Sequence, residues 1–63
     1  MDREMRMLHE EMETLIRLHR YGLFNTPGYI KRKNGIREFI RENGINVEKL
    51  EPLTLVFYRR YFE

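Results

Sequence analysis

The stretch DREMRMLHEEMETLIRLHRY, residues 2–21, decides how the whole chain reads. Met5, Leu8, Met12, Leu15 and His19 recur at alternating spacings of three and four, which places them on one face of a helix. Ile16 widens that face. The same positions fit the a/d seam of a coiled coil, and Met1 would extend it backward. Glu13 and Arg17 form an i,i+4 pair in the favoured order. Gly22 supplies a C-terminal stop, because glycine takes the left-handed conformation that closes a helix. The spacing therefore predicts one long amphipathic helix and an all-α fold. Any part of its apolar stripe left uncovered would meet another protein or a second copy of the chain.

Beyond this helix the punctuation is dense. Leu23 to Asn25 read as a short linker. Thr26-Pro27 is a helix start: a hydroxyl to cap free N–H groups, then a ring that presets φ in the first turn. Asn34-Gly35 interrupts the segment that follows. This dipeptide also suits a two-residue hairpin turn, but Ile36, Phe39 and Ile40 have helical spacing, so a break or kink between two short helices is expected. Asn43-Gly44-Ile45 has the pattern of a Schellman ending. Asn46 then reads as a new N-cap, with Ile45 and Leu50 placed as a hydrophobic staple and Pro52 breaking or restarting the helix. The last segment, Leu53 to Phe62, mixes strand formers with a helical face of Leu53, Val56, Phe57 and Tyr61. Pro52 at a first turn favours helix, with a strand as the alternative. The expected architecture is a single domain, residues 1–63, in which a long N-terminal helix packs against two or three short ones.

Composition narrows the function classes. A chain of 63 residues buries only about 60% of the surface its unfolded form exposes, so packing, oligomerisation or docking must supply stability. There is no Cys, which removes disulfides and thiolate zinc sites; Ala, Ser, Gln and Trp are absent too. Arg outnumbers Lys nine to three, and the many Glu and Arg suggest a thermophilic source. No stretch is long and apolar enough to span a membrane, and the charged start is unlike a signal peptide, so a cytoplasmic protein is expected. With no Cys or Ser nucleophile, no glycine-rich phosphate loop and little room for a closed pocket, neither an enzyme nor a cofactor or small-molecule site is expected. The net charge of +2 is unevenly spread: Arg3 and Arg6 against Asp2, Glu4, Glu10, Glu11 and Glu13 leave residues 1–16 at −3, and the rest carries +5.

Three surfaces are candidates for binding. The first is the helix stripe of Met5, Leu8, Met12, Leu15 and His19, where methionines make an adaptable contact and the histidine adds pH sensitivity. His9 and Glu13, at i,i+4, provide only two metal ligands. The second is the basic edge of Lys31, Arg32, Lys33, Arg37 and Arg41, which would follow phosphates, with Tyr29 stacking on a base. Ile36 to Leu50 within and beyond it resembles a helix-turn-helix. Ile40 at the close crossing and Pro52 inside the second helix both oppose that resemblance. The third is the tail, where Tyr58, Tyr61 and Phe62 stand among arginines, a composition favoured at interface hot spots. Tyr58-Arg59-Arg60-Tyr61-Phe62 resembles the end of a sliding-clamp-binding peptide, with Tyr58 in place of an aliphatic residue and Leu55 in place of Gln. That resemblance implies a component of a DNA-transaction assembly. The leading expectation is a small regulatory protein that occludes or stabilises a partner protein's surface. A nucleic-acid module and a homo-oligomer held by the first helix are the alternatives.

Overall fold

The computed structural model describes residues 2–63, so the proposed extension of the stripe to Met1 lies outside the described residues. Three α-helices and one 3-10 turn make up the fold: α1 (Arg3–Arg20), α2 (Pro27–Glu42), the turn Val47–Lys49 and α3 (Pro52–Tyr61). The chain is all-α, and the described residues contain no strand.

Helix α1 starts where Asp2 accepts the Met5 N–H at 2.8 Å, an anionic cap at the positive end of the helix. It ends in a Schellman motif: Gly22 has φ 80°, its N–H donates to the His19 carbonyl at 3.0 Å, and the Leu23 N–H reaches Leu18 at 3.0 Å. Helix α2 starts as its sequence predicts, with Thr26 Oγ1 accepting from the Tyr29 N–H and Pro27 in the first turn. It ends in a second Schellman motif, where Gly44 has φ 58° and the Ile45 N–H donates to the Ile40 carbonyl at 3.0 Å.

Two expectations need correction. Helix α2 runs unbroken through Asn34-Gly35. A mid-helix glycine costs about 1 kcal/mol relative to alanine, whereas burying one large apolar side chain contributes about 1.5–3 kcal/mol. Tyr29 and Ile36, on either side of the glycine, are both buried against the core, so packing outweighs the local break signal. The second correction concerns α3, which is a helix but is rotated from its expected face. Leu53 is 84% and Val56 60% exposed, while Thr54 and Phe62 are buried and Phe57, Tyr58 and Tyr61 are partly buried. Asn46 does cap a helical turn, through the Glu48 N–H at 3.1 Å, but that turn is only Val47–Lys49. Pro52 opens α3 rather than breaking a helix already begun. The second helix of a helix-turn-helix is therefore missing.

Cross-chain contacts fix the helix directions. Arg32 pairs with Glu11 at 3.0 Å and Tyr29 meets His19, so α2 runs antiparallel to α1. Glu51 lies at His9 and Tyr61 at His19, so α3 runs parallel to α1. The core between them holds Met5, Leu8, Met12, Leu15, Tyr29, Ile36, Leu50 and Phe62. Leu8, Met12 and Leu15 are fully enclosed, at 0% exposure.

Candidate protein-binding surface

The stripe on α1 divides in two. Met5, Leu8, Met12 and Leu15 form the core of the molecule itself, so on this fold those four side chains are not presented to a partner. His19, the fifth member, is only partly buried. It sits among four rings: Tyr61 at 4.3 Å between centroids, Phe24 at 5.0 Å and stacked, Phe57 at 5.4 Å edge-on, and Tyr29 at 5.9 Å. Its Nδ1 is 3.1 Å from the Tyr29 hydroxyl. Burial, and secondarily the neighbouring Tyr61, pushes the Tyr29 phenol above the 10.0 of a free tyrosine. The structure thus brings together residues from all three helices and the first connection: His19 from the end of α1, Phe24 from the linker, Tyr29 from α2, and Phe57 and Tyr61 from α3.

Outside this cluster the chain turns through Tyr21-Gly22-Leu23-Phe24. Tyr21 is 72%, Leu23 41% and Phe24 44% exposed. The turn is held by the Schellman hydrogen bonds, by the Thr26 N–H and Oγ1 donating to the Leu23 carbonyl, and by the Phe24–His19 stack. Three large apolar side chains are therefore displayed on backbone that is already ordered. Sequence reasoning ends the first helix at Tyr21 and reads Leu23 to Asn25 as a linker. The signal was there: connections usually carry polar residues, and this one carries an aromatic residue on each side of Gly22-Leu23.

In the tail, Tyr61 packs on His19 and Phe57, and Tyr58 stacks on Phe62 at 5.1 Å. Phe62 is buried, with the Lys33 ammonium 5.4 Å and the Arg37 guanidinium 5.3 Å from its ring centroid. Arg37 also donates to the Phe62 carbonyl at 3.4 Å and to Asn34 Oδ1 at 3.2 Å. Burial, and then repulsion from Arg37, lowers the Lys33 pKa. Elsewhere on the basic edge, Arg32 bonds Glu11 and Arg41 bonds Glu38. Lys31 is exposed, with no ion pair among the described residues.

Two further features flank these. An apolar cleft of about 270 Å³ between α1 and α2 is lined by Met7, Leu8, Gly35, Ile36 and Phe39 with the Glu11–Arg32 pair. His9 and Glu13 share a second cleft with Arg17, Glu51 and Leu53; among the described residues no three His, Cys, Asp or Glu side chains are grouped to hold a metal. No helix of the described residues is long and apolar enough to cross a membrane. No protein-family model, curated protein or solved structure matches this chain.

Proposed function

We propose that this chain is a small regulatory protein that acts by binding another protein, covering or stabilising part of its surface, with Tyr21, Leu23 and Phe24 as the contact. The observation that supports this reading is the ordered exposure of those three side chains after the core has closed. A preorganised aromatic projection loses little conformational freedom on binding. Tyrosine beside arginine, here Tyr21 next to Arg20, is the composition enriched at interface hot spots. His19, Phe57 and Tyr61 serve this reading as the support behind Phe24 rather than as the contact itself.

The other readings draw less support. Phosphate binding by the central basic edge competes with the in-chain engagement of Arg32, Lys33, Arg37 and Arg41. Clamp binding by the tail requires Tyr61 and Phe62 to leave their packing. Self-association through the first helix has the buried face of α1 already occupied.

The test is affinity capture from the source cells with the intact chain and with a Tyr21→Ser/Leu23→Ser variant whose helical content is unchanged. Each capture is run with and without nuclease and read by mass spectrometry. Recovery of a specific protein should fall at least about tenfold in the variant and be indifferent to nuclease. Equal recovery by both forms rejects the Tyr21–Phe24 contact. Recovery abolished by nuclease favours the nucleic-acid reading.

A further inference from the structure

His9 makes two hydrogen bonds whose directions are both fixed. Its Nδ1 lies 2.9 Å from the Met5 carbonyl on its own helix. Its Nε2 lies 3.1 Å from the backbone nitrogen of Glu51, which donates to it. A carbonyl only accepts and a backbone N–H only donates, so both bonds exist together in one protonation state: neutral imidazole with the proton on Nδ1. Glu51 is the N-cap residue of α3, and its own side chain makes no capping hydrogen bond. In a capping box the N-cap N–H is met by a side chain from the third helical position. That position is Thr54 here, and the acceptor comes instead from α1, 42 residues away in sequence. The bond therefore does two things. It satisfies a backbone donor at the start of α3, and it ties that start to the middle of α1.

We infer that His9 is an acid-sensitive latch between α1 and the start of α3, closed when the imidazole is neutral and opened by its protonation. Histidine is the side chain whose charge ordinarily changes between about pH 5 and 8. A proton on Nε2 sets N–H against N–H and removes the Glu51 bond. The cleft around His9 holds Glu13, Arg17 and Arg20 from α1 and Glu51 from α3, and no residue of α2 lines it. Two carboxylates and two guanidiniums thus balance in the lining, and the backbone partners decide which form of the ring the site holds. Only the neutral ring can hold both bonds, so a second proton opens the latch.

Solution NMR of the full chain tests it. At about pH 8 the side-chain ¹⁵N shifts of His9 should report a protonated Nδ1 and a bare Nε2. Hydrogen exchange at the Glu51 amide, corrected for the intrinsic pH dependence of exchange, should lose protection several-fold between about pH 8 and pH 5. His9→Gln keeps a neutral acceptor and should hold Glu51 protection constant over that range. His9→Leu should lack it at both ends. The latch is overturned by a proton on Nε2 at about pH 8, by wild-type protection that ignores pH, or by a His9→Gln variant that loses protection as the wild type does. The tautomer and the pH dependence of exchange are both read on the wild type, so together they decide the question even if His9→Leu does not fold.

Discussion

Where α1 begins, Met5, Leu8 and Met12 are sealed by their neighbours; where α1 stops, His19 lies on the same stripe but remains only partly covered. The two ends are filled with different material. Flexible aliphatic and thioether side chains fill gaps and close them. Rings that carry polar atoms need a hydrogen-bond partner; buried Tyr29 finds one in His19, which itself stays only partly covered. The closed end stabilises the molecule. The half-open end supports an apolar turn that stays outside the core. One helix face, read as uniform from its spacing, thus has two roles set by what the other helices bring to each end.

The largest expected effect tests the closed end. Leu8→Ala removes a fully enclosed side chain and should cost about 2–5 kcal/mol, a large fraction of the stability of a domain this small. Chemical denaturation followed by circular dichroism measures it, and a cost under about 1 kcal/mol would contradict the assignment of Leu8 to a closed core. Tyr61→Ala should cost roughly half of the ~3–5 kcal/mol typical of a buried aromatic truncation, because Tyr61 is only partly buried. It should also shift the ring resonances of His19 and Phe24. A cost equal to that of Leu8→Ala would erase the contrast between the ends. The smallest effect is at alkaline pH. Tyr29 is raised above 10.0 by burial and then by Tyr61, so its contribution to stability is full below about pH 10 and is lost as pH rises through the folded-state titration. Ultraviolet titration should show one late-ionising phenol that Tyr29→Phe removes. If the late phenol persists in that variant, the enclosure of Tyr29 is wrong.

A fourth comparison isolates α2. Gly35 has ordinary helical backbone, and a Cβ built there meets nothing within 4 Å. Gly35→Ala should therefore raise stability by about 0.5–1 kcal/mol, read in the same denaturation experiment. A loss of stability would mean that the fold itself needs the glycine.

Much of this was legible in the residues. The spacing of Met5, Leu8, Met12 and Leu15 gave the core face of α1, and Thr26-Pro27, Asn43-Gly44-Ile45 and Pro52 marked where the other helices begin and end. Asn34-Gly35 misled, because its break signal is local while the burial of Ile36 that overrides it depends on α1. The inner face of α3 was hidden for another reason. From Leu53 to Phe62, large apolar residues point to every side of the helix, so periodicity does not choose among them. Of the candidate site, His19, Tyr58, Tyr61 and Phe62 were recognised as residues of interest; His19 and Tyr61 pack behind Phe24, while Tyr58 and Phe62 stack on each other. Leu23 and Phe24 were passed over as linker and Tyr21 as the end of the first helix.

The sequence by itself determined the helical class and most of the helix ends, since caps, glycines and prolines act within a few residues and need nothing from the rest of the chain. Only the tertiary structure decided which apolar side chains stayed outside. It paired His9 with Glu51 and His19 with Tyr61, and it left Tyr21, Leu23, Leu53 and Val56 in water. Burial is a competition for one small core, and its outcome depends on how three helices are rotated against one another, which no local pattern specifies.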